Sequence, residues 1–409
     1  MEYPKLRPIE ALPVQYSGQE MIGLRDPAGK GEQLVVVPKE IFYILRFFDG
    51  EHSLLDIRTE FMRNFGYFLF EEQLNELLAS LDQNLLLDSA HYRQSLERMI
   101  AEYRAQPVRP AAHAGVSYLA EPGALAQQIT GFFSNSHGPG LPNGKINSVP
   151  LKGIIAPHID VKAGGNCFAY AYKELAESED IDLFIIIGTG HAGVRQFFAC
   201  TDKDFETPFG RVATDKAFLT RLQEKLTFDI FEQDRLHQSE HVIEFQLIFL
   251  QWLYHKRHTF QIVPILSSFS AAMLEPEWID PAHGALIREF LNALRDTIQE
   301  TDKRICVIAS ADLAHIGPRY GDSFKPDAHY LAAIEASDRE ALDYAASLDS
   351  AAFRKSVLKD EEKRRICGFP PIYSMLEVIG ADKGNLLKYD SVEVDSNRSV
   401  VSFASMAFF

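Results

Sequence analysis

The first 95 residues carry apolar side chains three and four positions apart, which is the spacing of an amphipathic helix. Pro38 can open the first of three such helices, Asp49-Gly50 ends it, and Ser53 can cap the second. Apolar runs at 34–37 and 85–87 predict one strand before the helices and one after them. This order predicts a small winged-helix-like α+β module. Its apolar helix positions are Ile41, Ile44, Leu45 and Phe48, then Leu54, Ile57 and Phe61, and then Leu74, Leu77, Leu78 and Leu81.

A stretch rich in proline and alanine, Gln106–Gly115, separates this module from a longer region with a different pattern. Prolines interrupt the helical spacing there, as in a linker. We therefore predict one domain over residues 1–95, a linker over 96–113, and a second domain over 114–409.

Continuous apolar runs without polar alternation occur in the second domain, as expected for strands that are covered on both faces. Amphipathic stretches alternate with these runs, which predicts an α/β fold with a mainly parallel sheet flanked by helices. Strands are predicted at Lys152–Ile155, Asp182–Ile187, Gln261–Ile265 and Ile305–Ala309, with a C-terminal hairpin of Lys388–Val394 and Ser399–Phe408. Helices are predicted at 121–133, 164–176, 215–225, 239–255, 284–299, 326–346 and 371–379.

The composition excludes several classes of protein. The chain has 409 residues, 41 basic and 57 acidic side chains, and a formal net charge of -16. Binding a polyanion needs a basic face, so we expect no nucleic-acid partner. The apolar stretch Phe245–Tyr254 is far shorter than the ~20 residues of a membrane-spanning helix, and the N-terminus lacks the order of a signal peptide. We therefore predict a cytoplasmic protein without a membrane partner, whose four cysteines are reduced.

The small module has more than one interpretation. Winged helices bind DNA, but residues 1–95 carry 9 basic and 15 acidic side chains, which disfavours that role. Asp49-Gly50, the two helices after it and the final leucine run resemble the PqqD-like domains. That resemblance implies recognition of the leader peptides of ribosomally made peptides. A purely structural role is the remaining alternative.

Polar residues that can bind metal follow three of the predicted strands. His158 and Asp160 follow the first strand, and His191 follows the second. Asp312 and His315 follow the last of the four. Ligands of open α/β sheets bind beyond the carboxyl ends of the strands, so we expect these loops to converge on one crevice. A single loop histidine is ordinarily a surface side chain, whereas three with the same placement favour a functional site.

Cys367 differs from the other cysteines because it lies in a loop rich in glycine and proline, just before a helix. Its neighbours Arg364 and Arg365 and the helix N-terminus favour the thiolate. We therefore expect Cys367 to be a ligand or a nucleophile. The other three cysteines lie in apolar runs and are expected to be buried thiols: Cys167, Cys200 and Cys306.

The sequence His237-Gln-Ser-Glu240-His241-Val-Ile-Glu244 contains H-x-x-E-H, a zinc-protease signature. Ser239 is placed to cap the helix, however, so we expect His237 outside the helix, which disfavours a protease. We instead expect His241 and Glu244, three residues apart on one helical face, to point into the crevice together. A histidine in the first helical turn is shifted toward its neutral form, which suits a general base.

Five motifs in this order resemble the Memo family, over the region from Ala114 to the C-terminus. Its bacterial members are the B components of AmmeMemoRadiSam systems, which implies an AMMECR1-domain protein and a radical-SAM enzyme as partners. The chain departs from animal members in having Ile-Asp-Val after His158 and alanine after His191. The motifs are Ala156-Pro157-His158, Gly188-x-x-His191, Glu240-His241-x-x-Glu244, Ser310-x-Asp312-x-x-His315 and Cys367-Gly368-x-x-Pro371.

Memo proteins are similar in fold to class III extradiol dioxygenases, in which two histidines and a glutamate hold Fe(II) and a further histidine is the acid/base. The resemblance therefore implies three metal ligands and one acid/base in this chain. The implied ligands are His158, His191 and Cys367, with Cys367 in the place of the carboxylate, and the implied acid/base is His241. Three further residues are implied to support the ligands or to orient substrate: Glu244, Asp312 and His315.

A thiolate is a softer ligand than a carboxylate and can itself be oxidised, which shifts the preference toward Cu(I), zinc or thiolate-bound iron. With a redox function Fe(II) or copper is favoured, and zinc is an alternative. Three functions fit this pattern. The leading hypothesis is a redox reaction, of oxygenase or oxidase type, on a small molecule or a peptide. The same crevice could instead bind a peptide or a partner protein without catalysis. With zinc, and with His241 activating a water molecule, the protein would be a hydrolase.

Overall fold

The structure is a computed structural model that describes residues 1–16, 18–26, 34–144, 146–254 and 257–409. It divides into two compact units. Unit 1 is Met1–Ala105 and unit 2 is Gln106–Phe409.

Unit 1 combines a small antiparallel sheet with helices. In its described part, three strands pair in the order β1-β2-β3. Ser53 begins the second helix in a reciprocal capping box with Asp56, and Gly66 ends it in a left-handed conformation. The apolar positions that predicted the helices lie in one core. The elements are β1 (Glu10–Tyr16), β2 (Gln19–Arg25), β3 (Val35–Val37), α1 (Lys39–Ile44), α2 (Leu54–Phe65), α3 (Glu71–Gln83) and α4 (Ala90–Ala105), with a 3₁₀ helix at Leu45–Phe47.

The three predicted helices of this unit are confirmed, whereas its strands are predicted less well. The strand expected at 85–87 is wrong within the described chain, since Leu87 makes only an isolated bridge with Leu6. The sequence did not predict strands β1 and β2, because Pro13 and Gly23 interrupt their short apolar runs. Helix α4 continues to Ala105, so the segment predicted as a linker begins as a helix.

Unit 2 contains the remaining elements. Its strands are β4 (Val108–Arg109), β5 (Gly153–Ala156), β6 (Leu183–Thr189), β7 (Phe198–Cys200), β8 (Asp204–Thr207), β9 (Gly210–Thr214), β10 (Gln261–Ser267), β11 (Ile305–Ser310), β12 (Asp312–Ile316), β13 (Gly384–Glu393) and β14 (Val400–Phe408). Its α-helices are α5 (Pro122–Ser134), α6 (Val161–Ala176), α7 (Lys216–Gln223), α8 (Val242–Tyr254), α9 (Pro281–Gln299), α10 (Ala328–Ala346), α11 (Ser350–Leu358) and α12 (Phe369–Val378). In the described part of this unit, 3₁₀ helices lie at Asp234–Gln238, Ala271–Leu274 and Pro318–Tyr320.

The strands of unit 2 form one mixed sheet, which has eleven strands within the described residues. Its main path is β12-β14-β5-β11-β6-β10-β9-β8-β4, with β13 paired to β14 and β7 paired to β10. The centre of the sheet is parallel, because β5, β11, β6, β10 and β9 run in the same direction. Ser310 at the end of β11 pairs with Ala156 of β5 and with Gly188 of β6. This register brings the loops that follow these three strands to one edge.

Helices cover both faces of the sheet. Alternate residues of β6 point to opposite sides, with Phe184 and Ile186 in one core and Ile185 and Ile187 in the other. Helices α5, α6 and α8 contribute to the first core, and α7, α9, α11 and α12 contribute to the second. Burial on both sides explains why the central strands are continuous apolar runs.

The α/β fold and the four central strands are confirmed. The tail forms the predicted hairpin of β13 and β14, although β14 also pairs with β5 and β12 on its other side. The final residue of the helix predicted at 239–255 lies outside the described residues. Among the helices of the described chain, none is both long enough and apolar enough to span a membrane.

Candidate metal site

Three histidines converge at the carboxyl edge of the parallel strands. His158 follows β5, His191 follows β6, and His241 directly precedes α8. Among the described residues, these three form a group whose candidate ligand atoms all lie within 4.8 Å of one another. The ring centroids of His158 and His191 are 5.1 Å apart, and the ring of His241 lies 5.5 Å from His158 and 5.1 Å from His191.

Polar contacts fix helix α8 over the strand ends. The Gln246 side-chain amide donates to the Pro157 carbonyl and to Ser310 Oγ, both at 2.8 Å. Ser310 Oγ in turn donates to the Val242 carbonyl at 2.7 Å. Gly188 permits this close approach, since an added Cβ would lie 2.2 Å from Val242 Cγ2. These contacts place the first turn of α8, and His241 before it, against the ends of β5, β6 and β11.

His158 is the most deeply buried of the three, with 2% of its surface exposed. Its Nδ1 lies 2.9 Å from the Ser310 carbonyl oxygen. A carbonyl oxygen can only accept a hydrogen bond, so Nδ1 carries the proton and Nε2 presents its lone pair. Burial lowers the pKa of His158 well below its ordinary value, which keeps the ring neutral and able to bind a metal.

Glu240 contacts the other two histidines. Its Oε1 lies 3.1 Å from His191 Nδ1 and 3.0 Å from His241 Nδ1, and its Oε2 accepts from the His191 backbone N–H at 3.0 Å. Burial opposes ionisation of Glu240, but the hydrogen bonds from His191 and His241 hold the pKa of this carboxyl well below its usual range. Burial likewise disfavours the charged form of His191, and Glu240 more than offsets this, so the pKa of His191 is raised.

Cys367 lies beside the group, with its Sγ 3.2 Å from His158 Nε2. Thr189 Oγ1 donates to the Cys367 carbonyl at 2.8 Å, and the Gly368 N–H donates to the Asp312 carbonyl at 3.0 Å. Gly368 is required by this contact, because an added Cβ would lie 2.2 Å from the Asp312 oxygen. The structure thus brings the predicted cysteine to the predicted histidine.

The expectation that neighbouring arginines favour the Cys367 thiolate is wrong. The Arg364 guanidinium pairs with Asp338 at 3.0 Å, and Arg365 pairs with Asp322 at 2.6 Å. Both cations are therefore engaged by carboxylates. Burial raises the pKa of the Cys367 thiol well above its ordinary value. Without a metal, Cys367 is a thiol rather than a thiolate.

The other three cysteines confirm the expectation of buried thiols. The four cysteines form no disulfide in the described chain, and only Cys367 among them is partly exposed. Burial raises the pKa of each of the remaining thiols, so none of them is activated. They are Cys167, Cys200 and Cys306.

Asp312 lies beside His158, while His315 lies outside the three-histidine group. Asp312 Oδ1 accepts from the His158 backbone N–H at 2.9 Å, and burial raises the pKa of Asp312 to about 6. The Nδ1 of His315 faces the Leu313 carbonyl at 3.0 Å, and its ring packs edge-on against Tyr320. Burial lowers the pKa of His315 to about 4. The remaining loop residue, Asp160, caps helix α6 through the backbone N–H of Lys162.

The prediction that a helix begins at Ser239 is wrong. A 3₁₀ helix covers Asp234–Gln238, and α8 begins only at Val242, so His241 precedes the helix rather than lying in its first turn. His237 is directed away from the group, with Nε2 on the Ala199 carbonyl at 3.0 Å. This placement agrees with the rejection of a zinc-protease site.

Glu244 does not point into the crevice with His241, contrary to expectation. Its side chain is fully buried, and it accepts hydrogen bonds from the Arg109 guanidinium and the Tyr118 hydroxyl. The backbone N–H groups of Ala112 and His113 also donate to it, both at 3.0 Å. Glu244 therefore anchors residues 109–118 to α8.

Sequence reasoning assigned no role to Glu240 or Arg109. Arg109 is fully buried and donates to the backbone carbonyls of His237 and Glu240, both at 2.9 Å, in addition to Glu244. Nothing in its proline-rich neighbourhood signals this role. Glu240 could have been found, because an acidic residue directly before a candidate histidine ligand can accept from an imidazole N–H.

The fold and the site define a class: an α/β protein with a candidate three-histidine metal site at the carboxyl edge of its sheet. The model of the family described as Memo-like protein matches residues 109–407. A MEMO1 family protein of Methanopyrus kandleri is 32% identical over 308 residues, which cover 73% of this chain and 98% of the relative. The chain belongs to the Memo family.

Two further relatives differ in how much of the chain they cover. A MEMO1 family protein of Methanothermobacter thermautotrophicus is 27% identical over 307 residues, covering 73% of this chain and 100% of that protein. A MEMO1 family protein of Aquifex aeolicus is 24% identical over 411 residues, covering 99% of this chain and 100% of that protein. The similarity to the Aquifex protein therefore extends through unit 1, which the family model does not cover.

Proposed function

We propose that this protein binds a transition metal ion through Nε2 of His158, His191 and His241, with Cys367 as a further ligand beside His158. The observation that carries the proposal is the convergence of three imidazoles whose Nδ1 atoms all face acceptors. Metal-binding histidines commonly donate their other ring N–H to a carboxylate or a carbonyl in this way.

The donor set fits iron, copper or zinc, because imidazole suits all three and a thiolate adds a soft ligand. We favour Fe(II) or copper. Such an ion would supply electron transfer to or from a bound small molecule or peptide, as an oxidoreductase of oxygenase or oxidase type. Family membership supports this choice only through the similarity of Memo proteins to the dioxygenase fold.

Exposure indicates the side from which a substrate would approach. The side chains of His191 and His241 are 40% and 29% exposed, whereas His158 is buried behind them. Substrate would therefore meet the site from the side of His191 and His241. His158, Asp312 and Cys367 would form its floor.

Metal analysis of anaerobically purified protein tests this proposal. We expect near-stoichiometric metal in the wild type and the loss of most of it in His158→Ala and in Cys367→Ser. The buried Cys306→Ser is the matched control for the cysteine. Equal metal content in Cys367→Ser and wild type would rule out the cysteine as a ligand, and full metal content in His158→Ala would rule out the site.

The sequence predicts an acid/base role for His241, whereas the proposal above makes it a metal ligand. The two roles lead to different expected results for His241→Ala. Glu240 anchors His241 as it anchors His191, which supports a ligand role for both. We therefore expect His241→Ala to lose metal. A variant that keeps its metal but loses turnover would favour the acid/base interpretation.

A zinc-dependent hydrolase is the second candidate, because three histidines with one open side are also the arrangement of catalytic zinc sites. Turnover that needs no oxygen or other oxidant would favour it. A third use of the site is the binding of a peptide or partner without turnover. The family resemblance suggests a radical-SAM enzyme and an AMMECR1-domain protein as partners in the cytoplasm, and co-purification with each would test this.

A further inference from the structure

Glu240 is a buried acidic residue with an unusual number of contacts. Only 9% of its surface is exposed. Its two carboxylate oxygens face the ring Nδ1 atoms of His191 and His241 and the backbone N–H groups of the same two residues, at 3.0–3.1 Å. These hydrogen bonds are therefore all directed at two candidate metal ligands.

An ionised carboxylate can only accept hydrogen bonds. Both Nδ1 atoms must therefore carry protons, which leaves both Nε2 atoms with free lone pairs. The two rings are stacked, with an angle of 15° between their planes, so one carboxylate also orients them side by side. His158 differs, because its anchor is the backbone carbonyl of Ser310.

We infer that Glu240 is the positioning residue of the metal site and that its single carboxylate sets the tautomer and the orientation of both His191 and His241. This inference rests on the proposed metal site. Because two of the three histidines depend on one side chain, loss of its charge weakens two ligands at once. An acceptor of this kind also raises the basicity of an imidazole ligand.

A purely structural role for Glu240 would be to hold the backbone around His191 and His241. Glu240→Ala tests the positioning role, because it removes the oxygen, Oε1, that both Nδ1 atoms face. Glu240→Gln keeps an amide oxygen that can still accept from both Nδ1 atoms, but it removes the negative charge. The structural role predicts little change in the imidazoles, whereas the positioning role predicts a changed tautomer.

Nitrogen NMR of the histidine side chains tests the inference directly in the metal-free full-length protein at alkaline pH. We expect His191 and His241 of the wild type to be the Nδ1–H tautomer, and at least one of them to populate Nε2–H in Glu240→Ala. Nε2–H at either residue in the wild type would overturn the inference without any variant. Unchanged tautomers in Glu240→Ala would also overturn it.

Titration with Co(II) gives a second readout. We expect Glu240→Gln to bind about 10- to 100-fold more weakly than wild type, with an altered visible spectrum. Glu232→Gln is the matched control, since Glu232 pairs with Arg195 on the loop after His191 rather than with a histidine of the site. Wild-type affinity in His158→Ala contradicts the metal site itself. Loss of binding in His158→Ala with full binding in Glu240→Gln contradicts only the role of Glu240.

Discussion

Glu240 and Glu244 belong to one motif, lie four residues apart, and serve two different regions of the molecule. Around Glu240, both oxygens face the partly exposed histidines of the candidate metal site. Around Glu244, both oxygens are buried and receive donors from Arg109, Tyr118 and the backbone of residues 112–113. The first region presents imidazoles to solvent, and the second holds residues 109–118 against α8.

The comparison shows that membership of a motif does not define a residue's role, since the partners of the side chain do. A buried carboxylate needs donors to offset its desolvation. Glu240 obtains them from groups that can also bind a metal, and Glu244 obtains them from an arginine, a tyrosine and the backbone. We therefore expect changes at Glu240 to alter metal binding and changes at Glu244 to alter stability.

Glu244→Ala is expected to have the largest effect on stability. Removal of Glu244 leaves the charge of the buried Arg109 guanidinium without its carboxylate, which costs about 3–5 kcal/mol of the free energy of unfolding. Chemical denaturation measures this loss. Metal affinity per folded molecule should change little, and a variant as stable as the wild type would contradict the account of this region.

Tyr118→Phe removes one donor from Glu244 and keeps the ring. The loss of a hydrogen bond to a charged group should cost about 1.5–3 kcal/mol, with metal content unchanged. The same denaturation experiment detects it. Tyr320→Phe is the control, because the Tyr320 ring packs on His315 and is only partly buried. An equal loss in both variants would show that Tyr118 has no special role.

Gly368→Ala tests the floor of the metal site. The new Cβ would collide with the Asp312 carbonyl, which should cost about 1–3 kcal/mol and move Cys367 away from His158. Gly131→Ala is the control, since Gly131 lies inside α5 and a Cβ added there would meet nothing within 4 Å. That variant should gain about 0.5–1 kcal/mol. Thermal unfolding of both variants, together with the metal content of Gly368→Ala, tests this prediction.

The pH dependence of stability tests the pairing of Glu244 with Arg109 and is the smallest expected effect. Burial opposes ionisation of Glu244, but the charge of Arg109 and the hydrogen bond from Tyr118 lower its pKa overall. A depressed folded-state pKa stabilises the protein above the ordinary glutamate value of 4.5, and this contribution is lost as the pH falls through the folded-state pKa. The stability difference between wild type and Glu244→Gln should therefore shrink on acidification below pH 4.5. A stability difference that grows on acidification would contradict the pairing of Glu244 with Arg109.

The apolar pattern of the sequence predicted the strands that are buried on both faces. It missed strands whose position depends on pairing with other strands. Strands β6, β10 and β11 are covered on both faces, so their continuous runs of apolar residues were enough to predict them. The short strands β8 and β12 carry no such run, and their pairing with β4 and β14, which lie far away in the sequence, determines them.

The same distinction holds at the site. The placement of His158 and His191 after parallel strands predicted that they meet, because strand ends share an edge. His241 was found from its motif, but its orientation was not, since it depends on where α8 begins. Arg109 could not be predicted, because its carbonyl partners lie more than a hundred residues away.

The most direct test of the central claim is an anomalous diffraction measurement on crystals of the metal-loaded wild-type protein, collected at the absorption edge of the bound metal. The account predicts one strong peak between the Nε2 atoms of His158, His191 and His241, on the side of Cys367. A peak elsewhere in the chain, with none between these three atoms, would contradict it.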